Sequence, residues 1–141
     1  MYSISIKKLF LFGKSTVKTC SFCSNADEDP PHLFAKCHHS LALWVGLKAA
    51  LLPGLVLPDL DERSALLGFY EALPLHFKLV NHILLLFKIY LYHSRDSGLL
   101  RINGMLSKIK ETAKLELALA PIGSETYTLY ASKWAPLIDL L

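Results

Sequence analysis

All three cysteines of this chain lie between positions 20 and 37, and a histidine sits among them. The spacing is C-x2-C-x8-H-x4-C, running from Cys20 and Cys23 through His32 to Cys37. A C-x2-C turn points two thiolates into one space. A His and a Cys from the next element can complete a tetrahedral zinc site. Four protein ligands leave no position open for water, so the expected site is structural, with one Zn²⁺ and no catalytic role. Structural zinc in small peptides contributes about 10–16 kcal/mol near neutral pH, and that binding energy is folding energy. The segment holds few large apolar side chains besides Phe22, Leu33 and Phe34, so metal is expected to be its main support. His38 and His39 follow Cys37 directly. Their adjacency to a ligand makes unstrained chelation harder than at His32. A redox C-x2-C would need a thioredoxin-like βαβ context, and no such pattern surrounds Cys20 and Cys23. The bland alternative is three small buried thiols; a third cysteine and a histidine at knuckle-like spacing favour metal over it.

An odd cysteine count cannot pair internally, and three in 141 residues is too few for a disulfide scaffold. Hydrophobic residues make up 52% and charged residues 19%, which excludes a disordered tail. The mean hydropathy of +0.36 raises the question of membrane spans. The longest apolar tracts, 41–57 and 79–92, are interrupted by Lys48 and Pro53, and by Asn81, His82 and Lys88. Neither reaches the roughly 20 apolar residues of a spanning helix. Lys7 and Lys8 precede an apolar run, Leu9–Phe12, that is too short for a secretory signal. An intracellular setting with reduced cysteines is therefore expected.

The remaining pattern is helical. Asp29-Pro30-Pro31 reads as a helix start, since Asp caps and Pro fits the first turn. That helix is predicted to run through Trp44 to about Leu52, stopped by Pro53-Gly54. A short helix capped by Asp61 is predicted from about Glu62 to Ala72. A third, apolar on nearly every face, is predicted from about Leu75 to Ser94, the signature of a buried central helix. Ser97 is the predicted cap of a fourth, in which Leu99, Ile102, Leu106, Ile109 and Ala113 recur at helical spacing. A last helix is expected from Ser124. The expected fold is all-α: a helical body of four to five helices with a small N-terminal zinc knuckle. A basic lead-in covers 1–19, the knuckle and its following helix 20–52, and a helical region 62–141.

The stretch Cys20–Cys37, with His32-Leu33-Phe34 before the last cysteine and Trp44 after it, resembles the CCHC cysteine-rich region near the C-terminus of LINE-type, non-LTR retrotransposon reverse transcriptases. Asn81–Tyr92 looks like the buried helix that follows in those proteins. Lys108–Leu117 and the Lys133-Trp134-Ala135-Pro136-Leu137 ending look like their final segments. The resemblance implies a non-catalytic module that follows the polymerase and grips element RNA or target DNA. It implies as partners nucleic acid and the upstream reverse transcriptase domain, in a nuclear or cytoplasmic ribonucleoprotein. The aromatic-x-Asp-Asp motif of the family's polymerase is absent, so no enzymatic activity is expected of this chain.

Charge fits nucleic acid without demanding it. The net charge is +3, from 15 Lys+Arg against 12 Asp+Glu. It is concentrated in the first 19 residues, at +4, and between Lys78 and Lys114, at +5. Lys14, Lys18 and Lys36 flank the knuckle as candidate phosphate contacts. Phe22, inside the C-x2-C turn, is the candidate base-stacking aromatic. Phe34, Trp44 and Trp134 are better read as packing anchors. A different class of function is a structural or protein-interaction module, whose apolar helices pack against the polymerase or another protein, or a remnant with no function of its own.

Overall fold

Residues 19–70 and 76–141 are described by a computed structural model. Lys14, Lys18 and most of the basic lead-in lie outside them. Among the described residues the chain forms α1 (His38–Leu51), α2 (Glu62–Leu67), α3 (Phe77–His93), α4 (Ile102–Leu119) and α5 (Glu125–Trp134). A π-helical turn, His32–Lys36, precedes α1, and a 3-10 turn, Ala135–Leu137, follows α5. No strand forms among these residues, and the expected all-α fold is observed. The one trace of a hairpin is an isolated antiparallel bridge between Thr19 and Asp27.

Local chemistry sets most helix boundaries. At α2, the Ser64 N–H donates to Asp61 Oδ1 (2.7 Å) while the Asp61 N–H donates to Ser64 Oγ (3.0 Å). This reciprocal capping box satisfies two orphan donors at once. The helix ends at Leu67, short of the expected Ala72, because Gly68 adopts φ +91° and its N–H closes on the Ser64 carbonyl at 2.8 Å. Ser124 caps α5 by accepting from the Tyr127 N–H at 3.1 Å.

Two expected boundaries differ. The helix drawn from Asp29 to Leu52 is broken at Cys37, whose ψ of 127° is extended. Asp29 does cap its first turn, accepting from the His32 N–H at 2.9 Å. The chain then widens into the π turn and restarts at His38. Ser97 does not cap α4. It belongs to the turn that ends α3, where its hydroxyl donates to the Ser94 carbonyl and accepts from the Leu99 N–H. Gly98, at φ +68°, reverses the chain there. The α4 start is held instead by the Tyr90 hydroxyl, within 3.1 Å of both the N–H and the carbonyl of Arg101.

The core is one hydrophobic cluster running from Leu33 to Leu137. Leu79, Val80, Ile83, Leu84, Phe87 and Leu91 of α3 are buried in it, while Leu85 stays 44% exposed. Thus α3 is central without being enclosed on every side. It packs on α4, on α5 and on the π turn. The π turn also packs against α1 and α2. Trp44 is buried at the centre, edge-on to Phe87 (5.0 Å between ring centroids) and stacked on Phe69 (6.2 Å). Its indole N–H donates to the Pro58 carbonyl at 2.9 Å, so no polar atom is stranded. Lys88 is buried as well. Its ammonium donates to the Ala65 carbonyl at 2.8 Å, and burial holds its pKa below the usual lysine value. At the far end, the loop after α1 meets the last turn of the chain. A Cβ on Gly54 would fall 2.1 Å from the Pro136 carbonyl oxygen, so this contact requires glycine.

Candidate metal centre

Two short elements bring the donors together. The C-x2-C segment is a tight turn in which the Ser24 N–H donates to the Cys20 carbonyl at 3.0 Å. Ser24 takes a left-handed φ of 58°, and the Cys20 N–H closes the loop on the Ala26 carbonyl at 2.8 Å. This folds Cys20 and Cys23 onto one side. The π turn supplies the other two donors. The Cys37 N–H reaches back to the His32 carbonyl at 2.7 Å. The wider turn holds His32 and Cys37, five positions apart, on the same side, and Leu33, Phe34 and Ala35 point into the core.

The ligand atoms of Cys20, Cys23, His32 and Cys37 all lie within 4.8 Å of one another. Cys20 Sγ and Cys37 Sγ are 3.8 Å apart; Cys23 Sγ and His32 Nε2 are 3.3 Å apart. Cys20 and Cys37 are buried, and Cys23 and His32 are half-buried. This cluster can hold one metal ion. His38 and His39 sit outside it, exposed on the first turn of α1 with their rings 4.1 Å apart.

The electrostatics suit a cation. Burial pushes the Cys20 thiol up to about 12, and the Cys37 sulfur beside it adds to the rise, against N–H groups of the turn that lower it. Desolvation acts the same way on Cys23, but it is outweighed by the Asn25 N–H and the neighbouring thiols, and Cys23 lies below the ordinary thiol range. A bound dication reverses the penalty of gathering sulfurs, because a coordinating thiol is deprotonated outright. Cys37 is also the N-cap of α1, with no side chain capping the free N–H groups of that first turn, so the positive end of a 14-residue helix faces the cluster.

No protein-family model, curated protein or solved structure matches the chain. The site therefore rests on its own geometry.

Four residues that sequence reasoning did not single out support the cluster: Ser21, Glu28, Tyr92 and Arg95. Glu28 is fully buried. Its Oε2 accepts from the Ser21 N–H (2.9 Å) and the Ser21 hydroxyl (2.7 Å), inside the C-x2-C turn. Its Oε1 pairs with Arg95 Nη1 at 2.6 Å, from the turn that ends α3. The Arg95 guanidinium lies over the Tyr92 ring, 4.1 Å from its centroid. In the sequence Glu28 lies between Asp27 and Asp29, and Arg95 lies within the basic stretch from Lys78 to Lys114. A separation of 67 positions leaves no local signal of the pair.

Of the expected nucleic-acid residues, Phe22 and Lys36 are among the described ones. Lys14 and Lys18 lie outside the described residues. Lys36 is exposed and pairs with Glu62 at 3.4 Å. Phe22 is half-buried, packed against the core and lining a shallow cleft with His39, Leu43 and Leu99. Of the basic stretch, Lys88 and Arg95 face inward on the partners given above. Lys78, Arg101, Lys108 and Lys114 remain exposed.

Proposed function

We propose that the chain is a non-catalytic zinc module, resembling the C-terminal CCHC region of a non-LTR retrotransposon reverse transcriptase, that contacts RNA or DNA without strong sequence preference. The observation that carries this reading is the closure of Cys20, Cys23, His32 and Cys37 into one donor cluster. A tetrahedral zinc with Zn–S bonds of about 2.3 Å has sulfur–sulfur edges of about 3.8 Å. The Cys20–Cys37 separation of 3.8 Å matches that edge. Three thiolates and an imidazole are a soft, closed donor set suited to zinc and to no bound water, so the ion's role is to staple the turn. Exposed Lys36, Lys78, Arg101, Lys108 and Lys114 are the phosphate contacts this reading offers among the described residues. In a parent polyprotein the module would follow the polymerase and act within an intracellular ribonucleoprotein.

Metal analysis of the purified chain should give about one zinc per molecule. A labelled single-stranded RNA should bind at low salt, weaken as salt rises, and be lost on chelation. Absence of binding by the zinc-loaded protein at low salt would sink the nucleic-acid part.

A protein-interaction module is the second reading, and one surface favours it. Leu119, Ile122 and Leu129, on α4, α5 and the turn between them, are 73%, 90% and 62% exposed. Large apolar side chains left this exposed are surface that a protein partner would cover. Concentration-dependent self-association, or capture by a reverse transcriptase domain without RNA, would favour this reading.

A further inference from the structure

We infer that Glu28 is a positioning residue for the metal centre, and that Arg95 acts through it to couple the centre to α3. The inference rests on the zinc reading above and extends it to residues outside the ligand set.

Glu28 does not contact the cluster. It holds the backbone from which two ligands hang. Both oxygens are used: one accepts twice from Ser21, between Cys20 and Cys23, and the other meets Arg95. A fully buried carboxylate is costly unless it is paired and hydrogen-bonded, and these contacts supply both. Arg95 is in turn seated by Tyr92, through its ring and through its carbonyl, which accepts from Arg95 Nε at 3.3 Å. The chain of contacts runs from the C-x2-C turn through Glu28 and Arg95 to the last turn of α3. Groups that orient ligands from behind set metal affinity, and their loss commonly costs 10- to 100-fold. The same linkage works in reverse: an ion that fixes the turn fixes the seat of Arg95.

The test uses the full chain with Zn²⁺, titrated against a competing chelator, and Co²⁺ as a spectroscopic stand-in. Glu28→Gln should weaken Zn²⁺ binding by about 10-fold or more and broaden the Co²⁺ d–d bands. Arg95→Lys keeps the charge but loses the planar fork, and should weaken binding by a smaller factor in the same direction. The two changes combined should weaken binding by less than the product of their separate effects. A merely structural role would lower the melting temperature and leave affinity and spectrum alone. Wild-type affinity in both variants overturns the inference. If Glu28→Gln fails to fold, the Arg95→Lys titration decides it alone. Failure of the wild-type chain itself to bind Zn²⁺ overturns the zinc reading, and the two failures are thereby told apart.

Discussion

The segment 19–37 and the α3–α4–α5 body reach order by opposite means. The body buries Leu79, Ile83, Phe87, Met105, Ile109 and Trp134 and needs polar groups chiefly at its helix ends. The 19–31 part of the knuckle buries only Cys20 and Glu28, both through polar or metal-ligand chemistry. Between them lies the π turn, whose Leu33, Phe34 and Ala35 belong to the body's core while His32 and Cys37 belong to the cluster. One five-residue turn thus serves both regimes. A knuckle joined to a body in this way is not a separable bead.

On the zinc reading, the largest expected effect comes from removing the metal. Structural zinc contributes about 10–16 kcal/mol in small peptides, more than the total stability of most domains. Chelation, or Cys20→Ser with Cys37→Ser, should abolish metal content and open residues 19–37. Amide exchange should show protection lost there and across α2 but retained around Met105, Ile109 and Ala113 of α4. Uniform loss over the whole chain would mean that the body has no stability of its own.

Next come changes within the joint. Trp44→Ala removes the side chain shared by α1, α3 and the Phe69 loop and should cost about 3–5 kcal/mol in denaturant unfolding. Glu28→Gln leaves Arg95 without its charge partner and should cost a similar amount, about 3–5 kcal/mol. If the comparison holds, the first loss appears with or without metal and the second is larger with metal bound.

A helix cap in the body is worth less. Ser124→Ala should cost about 0.5–2 kcal/mol and leave metal content unchanged.

The smallest effect is a pH slope at the far end of the body. Glu116 accepts from Trp134 Nε1 at 2.8 Å and from Lys133 at 3.0 Å, with His82 Nδ1 at 3.9 Å. Burial raises the Glu116 pKa, but the Trp134 and Lys133 hydrogen bonds outweigh it and hold it below the usual 4.5. Burial first, then Lys133, holds His82 below its usual 6.5. Both groups bind protons more readily when unfolded, so each contributes stability that falls with falling pH. Unfolding free energy should therefore decline below about pH 6.5 through His82 and again below about 4.5 through Glu116. His82→Gln should flatten the upper step alone.

Sequence reasoning reached what is local or periodic. The Asp61 and Ser124 caps follow from residue type and position. The core face of α4 follows in part from the spacing of Ile102, Ile109 and Ala113; the same run includes Leu99, which is 56% exposed, and passes over Met105, which is fully buried. The four donors follow from the compactness of the C-x2-C-x8-H-x4-C run. What escaped is non-local. The break at Cys37 follows the π turn His32–Lys36, and no helix-breaking residue marks it in the sequence. The start of α4 is set by Tyr90, from the preceding helix. Lys88 and Arg95 read as surface charges because nothing nearby announces the Ala65 carbonyl or Glu28.

The contact between Gly54 and Pro136 bears on the order of events in folding. The α1 loop is the seat on which the last turn docks, and the seat exists long before its occupant is synthesised. Helix pairs close in sequence can form as they emerge, but this closure waits for residue 136. Until then Leu51 lacks its Leu137 neighbour, and the nascent chain leaves that apolar surface uncovered.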